Sequence, residues 1–161
     1  MKKLLILCLL TGVLNAKFIR DDAKEVVLDT KTNLIWQDDS NTSSQTQTWA
    51  NAIAYCEAST LGGYDDWHLP NFNELYYLAS REKLNPALDS GFSHVSISFY
   101  WSSTTFAKVS SNAWGVVFSD GVDYYRSKAN SYYVRCVETD SDLIFVPKGH
   151  FFPLVRAFLL L

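Results

Sequence analysis

Two cysteines in the body of this sequence, Cys56 and Cys136, are its best candidates for covalent chemistry. In an oxidising compartment such thiols pair, so a disulfide between them is the leading interpretation if the chain is exported. Two unrelated buried thiols are the alternative. A zinc site is less favoured, because a second cysteine pair or a His-x-x-x-His motif would be needed to complete four ligands.

Acidic and amide side chains offer a second kind of chemistry, the binding of calcium. The candidates are Asp65, Asp66, Asn73, Glu74, Asp120 and Asp123. Helix capping accounts better for Glu74, and a tight turn accounts better for Asp120. We therefore predict no metal and no cofactor, with calcium as the alternative.

Nucleophilic catalysis has little support in the sequence. The hydroxyls of residues 102–104 have no partner base that the sequence assigns, and His94 and His150 stand in stretches without a catalytic pattern. A lone histidine such as His68 is typically a structural hydrogen-bonding residue. We predict that the protein is not an enzyme, and a hydrolase is the less favoured alternative.

Aromatic residues make up 15% of the sequence and crowd the region of the predicted strands. Aromatic rings stack on sugar rings and are common at recognition surfaces. Because side chains alternate along a strand, one residue of each adjacent pair should face the interior. The residues predicted to contact a ligand are Trp101, Asp120, Asp123, Tyr124 and Tyr125.

The N-terminal residues predict the compartment in which these side chains work. Two lysines precede an apolar run over residues 4–10, and residues 11–16 are smaller and more polar. This is the layout of a secretory signal peptide, and the run is shorter than the roughly 20 apolar residues that span a bilayer. We predict that residues 1–16 are removed on export to the bacterial periplasm or the outside. A lipid anchor at Cys8 and a buried N-terminal helix are the alternatives.

Charge excludes one class of partner. The sequence has 14 basic and 17 acidic residues, and loss of Lys2 and Lys3 with the signal peptide leaves 12 basic ones, a net charge of about −5. Nucleic-acid binding needs a basic face, so it is not predicted. The tail over residues 139–161 contains an apolar run over residues 151–161, which is too short to span a membrane as a helix, and a strand, a groove cover, a docking segment or a shifted reading frame would each explain it.

The first half of the predicted domain, which covers residues 17–138, carries a hairpin and two helices. Short β-type runs over residues 26–28 and 34–36 flank a turn. Thr48 is suited to cap a helix over residues 49–58, in which Cys56 lies on the same face as Trp49 and Ile53. Asn71, with Glu74 three residues later, predicts a capping box that opens a second helix.

Strands dominate the second half. They are predicted over residues 97–105, 113–119, 122–127 and 131–137, with Asp120-Gly121 as a hairpin turn. The order of elements predicts an α+β domain with two helices packed on an antiparallel sheet. A disulfide would link the first helix to the last strand.

Six blocks of sequence, between about Val27 and Val137, carry a family resemblance. They are Thr48-Trp49-Ala50, Tyr55-Cys56, Leu61-Gly62-Gly63-Tyr64-x-Asp66-Trp67-x-Leu69-Pro70-Asn71-x-x-Glu74-Leu75, Tyr100-Trp101-Ser102-Ser103-Thr104, Trp114-x-Val116-x-Phe118 and Tyr133-Val134-Arg135-Cys136-Val137. In order and spacing these blocks resemble the bacterial Lcl C-terminal domain family. The resemblance implies a C-type-lectin-like fold, related in shape to the formylglycine-generating domain, in which the two cysteines pair.

The sequence also departs from what this resemblance implies. The Glu-Pro-Asn and Trp-Asn-Asp sequences that hold sugar-binding calcium in such lectins are absent, and His68 stands where the family commonly has Arg. A formylglycine-generating-type activity is disfavoured, because it needs reactive cysteines that a disulfide would occupy. The named member of the family resembles an adhesin for sulfated polysaccharides, yet an acidic chain favours neutral sugars or a protein partner over heparin-like chains.

The sequence therefore predicts an exported, non-catalytic, adhesin-like module that binds a cell-surface or matrix glycan or protein. The predicted binding face is built by the long loop before Trp101 and the hairpin at Asp120-Gly121, since loops on a rigid scaffold usually carry recognition. A structural or assembly component of the bacterial envelope is the alternative.

Overall fold

The computed structural model describes residues 18–139. The predicted signal peptide over residues 1–16 and the tail beyond Thr139 lie outside the described residues, so both stay predictions. Within the described part, no helix is long and apolar enough to cross a bilayer.

The fold is α+β, as predicted, and its strands form two sheets. In chain order the elements are β1 (Phe18–Asp21), β2 (Val26–Asp29), β3 (Leu34–Gln37), α1 (Asn41–Ser44), β4 (Thr46–Thr48), α2 (Trp49–Glu57), a 3-10 turn (Leu61–Gly63), α3 (Phe72–Leu78), β5 (Phe99–Thr105), β6 (Asn112–Val117), β7 (Val122–Ser127), β8 (Ser131–Tyr133) and β9 (Val137–Thr139).

The sheet arrangement corrects the prediction of one antiparallel sheet. One sheet has the order β1-β2-β3-β9 and the other the order β4-β8-β5-β6-β7. Strand β5 runs parallel to β8, with Tyr100 opposite Tyr133. The predicted last strand over residues 131–137 is in fact two strands, because β8 joins the second sheet and β9 joins the first.

The helix count is also corrected, from two to three within the described residues. The additional helix, α1, is a single turn in the polar stretch before Thr48. Asp39 accepts hydrogen bonds from Asn41 Nδ2 at 2.8 Å and from the Thr42 hydroxyl at 3.1 Å. Such local side-chain bonds give a short polar segment a defined turn without an apolar stripe.

The first sheet joins the beginning and the end of the described chain. Phe18 lies opposite Asp29, Asp29 opposite Leu34, and Leu34 opposite Thr139. These four residues therefore form one row across the sheet. The described chain enters and leaves the domain at the same end of the same sheet.

Two apolar clusters lie on opposite faces of the strands. The cluster under α3 contains Leu75 and Leu78 of that helix, and the cluster under α2 contains Ala52 and Cys56. Neighbouring residues of β3 belong to different clusters, since Trp36 lies in the cluster under α3 and Ile35 in the cluster under α2. This alternation is the two-residue period of a strand buried on both faces.

The predicted disulfide is present. Cys56 on α2 is bonded to Cys136, which lies in the connection between β8 and β9, and both residues are fully buried. The backbone around Cys136 is held to the first sheet as well, because Gln37 N–H donates to Cys136 O and Cys136 N–H donates to Gln37 Oε1, each at 3.0 Å. The bond therefore ties the helix to the junction of the two sheets.

A buried ion pair lies beside the disulfide. Arg135 and Asp38 are both fully buried, with Arg135 Nη1 at 3.1 Å from Asp38 Oδ1. Arg135 also donates to Gln37 O and to His94 O, each at 2.6 Å. Burial lowers the pKa of Arg135 to about 10 against the opposing influence of neighbouring Tyr100, so the guanidinium is charged at neutral pH.

The Asp38 carboxylate has hydrogen-bond and ion-pair partners in several segments of the chain. Its carboxylate accepts the backbone N–H groups of Ser93 at 2.7 Å and His94 at 3.1 Å, and it forms a second ion pair with Arg20. Asp38 and Arg135 together thus link β1, β3, the loop before β5 and the connection before β9.

Candidate ligand-binding surface

The two adjacent tyrosines of β7 lie on opposite faces of the second sheet. Tyr125 lies opposite Trp114 and Tyr124 lies opposite Gly115, so the two side chains alternate across the sheet. Their exposed fractions are 46% for Tyr125 and 40% for Tyr124. Neither is interior, contrary to the prediction, because β7 is an edge strand whose faces are incompletely covered.

On the Tyr125 side of the sheet, six partly exposed rings touch one another in an unbroken series. We call this series the aromatic row, and its members are Phe106, Tyr125, Trp114, Phe72, Tyr76 and Tyr77.

The rings of the aromatic row pack directly against their neighbours. The Phe106 and Tyr125 rings are stacked with centroids 4.0 Å apart, and the Trp114 ring stands edge-on to the Phe106 ring at 5.1 Å. From Trp114 the row continues to Phe72 at 5.2 Å. Aromatic pairs at these separations stabilise each other, so the row is a preformed surface.

Local structure explains how α3 brings two rings to this face. Asn71 and Glu74 form the predicted capping box, with Glu74 N–H donating to Asn71 Oδ1 at 3.0 Å and Asn71 N–H donating to Glu74 Oε2 at 2.7 Å. The first helical residue, Phe72, also donates its backbone N–H to Thr104 Oγ1 at 2.9 Å. Its ring and that of Tyr76, four residues later, lie on one side of the helix, 5.3 Å apart.

One end of the aromatic row carries a cation. The Arg81 guanidinium lies 3.5 Å from the centre of the Tyr76 ring, and Arg81 Nη2 donates to Tyr76 O at 3.4 Å. A side chain added at Gly121 would lie 3.5 Å from Arg81 Cγ, so the turn at Asp120-Gly121 adjoins this end. Gly121 has a φ of +75°, a conformation that glycine adopts more readily than other residues.

The predicted binding segments do meet each other. Asn85 N–H donates to Ser119 O at 2.9 Å and Ala87 N–H donates to Phe118 O at 2.8 Å, so the long loop before β5 packs on the β6–β7 hairpin. Asp120 serves this turn, because its Oδ1 accepts from Val122 N–H at 3.1 Å. Asp123 lies opposite Val116, on the Tyr125 face of the sheet.

Trp101 has to be removed from the predicted ligand contacts. It is fully buried, and its indole N–H donates to Gln47 O at 2.9 Å. The rings of Phe99 and Tyr132 pack edge-on against it at 5.2 and 5.1 Å. Its neighbour in sequence, Tyr100, is equally buried, since β5 lies inside the sheet and both of its faces are covered.

Tyr124 belongs to a different surface from Tyr125. Its ring lies 5.1 Å from the Arg126 guanidinium, which also approaches Phe99 at 5.7 Å. A ligand held by the aromatic row would therefore not contact Tyr124. The two tyrosines provide a matched pair of positions, one on each face of the same strand.

The calcium candidates do not converge. Among residues 18–139, no group of three or more His, Cys, Asp or Glu side chains is placed to hold a metal ion. Glu74 is engaged in the helix cap and Asp120 in the turn. The absence of a bound metal stays a prediction.

Two cavities lie away from the aromatic row. One, of about 210 Å³, is an apolar groove on the first sheet lined by Ile19, Asp21, Val26, Leu28, Ile35 and Tyr64. The other, of about 640 Å³, is an open depression in the loop before β5, lined by Lys83, Leu84, Pro86, Leu88, Asp89, Ser90 and Phe92. Neither cavity shares a lining residue with the row.

His68 and Glu74 form a charge pair at the start of α3. His68 Nε2 lies 3.8 Å from Glu74 Oε2, and both side chains are partly exposed. The Glu74 carboxylate raises the pKa of His68 above its ordinary value, although burial acts in the opposite direction. Burial alone would raise the pKa of Glu74, but the contact with His68 and the hydrogen bond from Asn71 N–H lower it.

We expect Glu74→Gln to lower the pKa of His68 toward its ordinary value of 6.5. Helix capping should be preserved, since Gln serves in a capping box as Glu does. Because the pKa of folded His68 is raised, the pair stabilises the fold fully between about pH 4.5 and 6.5, the ordinary pKa values of the two side chains, and this stability is lost as pH rises through the folded pKa of His68. Because the pKa of Glu74 is lowered, the stability is also lost as pH falls through the folded value for Glu74.

An NMR titration of the His68 ring measures this effect directly. His68→Gln is the matched control, because it should remove the same pH dependence from the thermal melting curve. An unchanged His68 pKa in the Glu74→Gln protein would contradict the prediction.

Most of the aromatic row is not predicted from the sequence. Of its six members, only Tyr125 is among the residues predicted to contact a ligand. One signal was present, since a capping box fixes the first turn of α3 and hence the face that Phe72 and Tyr76 share. The contact of Phe72 with Trp114 joins residues distant in sequence, and no local pattern predicts it.

Residues 25–138 match the pattern of one protein family, described as the Lcl C-terminal domain. The matched segment contains all six rings of the aromatic row, both disulfide cysteines and the buried ion pair of Arg135 with Asp38. No curated protein shows a significant match to the chain.

Proposed function

The chain belongs to the Lcl C-terminal domain family, and from that premise we propose that it is an exported, non-catalytic binding module. Its ligand is a glycan or a protein of the cell surface or extracellular matrix, and its role is adhesin-like. The observation that carries this proposal is the aromatic row, six partly exposed rings on neighbouring strands and a helix.

Exposed aromatic rings of this kind favour recognition. Tyr77 is 70% exposed and Tyr125 is 46% exposed, although ring burial would stabilise the fold. Contiguous exposed apolar surface on a soluble domain typically marks an interaction site. Because neighbouring rings hold each other in place, binding would cost little side-chain entropy.

The proposal includes a C-type-lectin-like arrangement of the fold. Support comes from the first sheet, in which β1 and β9 bring the two ends of the described chain together. The disulfide gives further support, since it links α2 to the segment that leads into β9.

A non-catalytic role agrees with the engagement of the candidate nucleophiles. Ser102 is buried and donates its hydroxyl to Trp114 O at 2.8 Å. Thr104 Oγ1 accepts from Phe72 N–H, and the two cysteines are bonded to each other. A hydrolase or a formylglycine-generating-type enzyme is correspondingly disfavoured.

One observation favours a second candidate function, that of an envelope structural or assembly component. Strand β7 is an edge of the second sheet and exposes Val122 as well as its two tyrosines. An open edge can accept a strand from another protein, so a partner could bind by extending the sheet.

A glycan array combined with a pull-down from envelope extract tests the proposed function. We expect the mature protein to retain a defined glycan or protein ligand reversibly, and to retain it equally after mild treatment with thiol reagents. Turnover of a substrate by the purified protein, or no ligand in either assay, would refute the binding-module proposal.

A further inference from the structure

We propose that the ligand of the aromatic row is an uncharged polysaccharide, bound as a chain whose successive sugars contact different rings of the row. This inference rests on the proposed function and specifies the ligand class of the same surface. Three features of the row argue for it: its composition, the neutrality of its border and its extent across several rings.

The composition of the row suits sugars better than protein side chains. All six members are aromatic, and three of them, Tyr76, Tyr77 and Tyr125, carry a hydroxyl that can exchange hydrogen bonds with a sugar. The flat apolar face of a sugar ring packs on an aromatic ring, while its rim of hydroxyls needs polar partners. Protein hot spots instead combine aromatic anchors with enclosed pockets, and the two cavities described above share no lining residue with the row.

The border of the row is largely neutral. Asn112 and Ser127 lie opposite each other in the strands that carry Trp114 and Tyr125, two residues before and after them, and so on the same face. Both offer hydrogen bonds without charge. On the same face of β7 the nearest ionised group in sequence is Asp123, an acid, which would repel a sulfated or carboxylated chain.

The Arg81 cation beside the row does not reverse this charge preference. The Arg81 guanidinium already lies over the Tyr76 ring and donates to Tyr76 O. Recognition of a sulfated polysaccharide requires several cations along the chain, because each sugar unit presents its own anions. One engaged arginine at one end of the row does not provide such a series.

The extent of the row across several rings suits a chain rather than a single sugar. From Tyr125 to Trp114, Phe72, Tyr76 and Tyr77, neighbouring ring centres are separated by 5.8, 5.2, 5.3 and 6.1 Å. A monosaccharide would cover about one ring, whereas an oligosaccharide would engage several. Affinity should therefore increase with chain length until the row is filled.

Calorimetric titration of the mature protein with cellohexaose, laminarihexaose and chitohexaose tests this inference. We expect at least one of these neutral hexasaccharides to bind about tenfold more tightly than its disaccharide, with little dependence on salt. Tyr125→Ala should weaken that binding about tenfold, because one stacking ring is lost. Tyr77→Ala should act in the same direction from the other end of the row.

Tyr124→Ala is the matched control, since it removes an equally exposed ring from the opposite face of the same strand. We expect its affinity to lie within about twofold of the parent protein. The inference is overturned if none of the hexasaccharides binds at millimolar concentration, if Tyr124→Ala and Tyr125→Ala weaken binding equally, or if a heparin-derived hexasaccharide binds best.

These outcomes separate the inference from the proposed function. A protein ligand or a sulfated glycan found in the array or the pull-down, together with no hexasaccharide binding, would remove the inference and leave the binding module. Failure of every ligand would remove both.

Discussion

Arg135→Met is expected to lower the free energy of unfolding by about 3–5 kcal/mol. The substitution leaves the fully buried Asp38 carboxylate without its 3.1 Å partner and removes the guanidinium donors to Gln37 O and His94 O. Asp38 keeps its ion pair with Arg20 and two backbone N–H partners, so much of the loss comes from the two carbonyls that Arg135 no longer satisfies, at about 1–3 kcal/mol each. Urea unfolding followed by tryptophan fluorescence measures the change.

Arg126→Met is the control for this experiment. Arg126 is exposed and lies over the Tyr124 ring, so its loss should change stability by no more than about 0.5 kcal/mol. In the double variant Arg135→Met/Asp38→Asn, the loss should be smaller than the sum of the two single losses, because the contact between Arg135 and Asp38 is lost in each single variant and is counted twice in that sum. A loss below about 1 kcal/mol for Arg135→Met alone would contradict the buried ion pair.

Removal of the disulfide by Cys56→Ala/Cys136→Ala should cost up to about 4–5 kcal/mol of stability. The bond joins residues 80 positions apart, so its loss releases a long loop in the unfolded chain. This loop-entropy value is an upper figure, and it is a large share of the roughly 5–15 kcal/mol by which a domain is stable. Unfolding in urea with and without reductant gives the same quantity for the parent protein.

The double variant is the control for the reductant, because reductant should not change the unfolding of a protein that lacks the disulfide. Mass measurement of alkylated, non-reduced parent protein gives an independent check. Two alkylated thiols at Cys56 and Cys136 would contradict the disulfide.

Predictions that depend on neighbouring residues succeeded. The pair Asn71 and Glu74, three residues apart, predicts the capping box at the start of a helix, and the structure confirms it. The face of α2 that carries Cys56 follows from the period of a helix, and that face is buried. In each case the decisive contacts lie within two helical turns.

Predictions that depend on sheet order failed for a physical reason. The segment from Val134 to Cys136 was predicted as strand, but Arg135 reaches Asp38, 97 residues away, and Cys136 reaches Cys56. These partners draw the backbone out of the second sheet before β9 joins the first. Likewise, only the order of strands shows that β7 is an edge, and this order decides why Tyr124 and Tyr125 are both exposed.

The row of Phe18, Asp29, Leu34 and Thr139 has a practical consequence for how the domain can be attached to other proteins. Three strand spacings separate the first and last of these residues, a distance of about 14 Å. The two ends of the described chain therefore lie on one side of the domain, as in domains that tolerate insertion into a host loop. Residues 18–139 could be inserted into a loop of a carrier protein through short linkers, and the aromatic row, on the other sheet, would stay free of the junction.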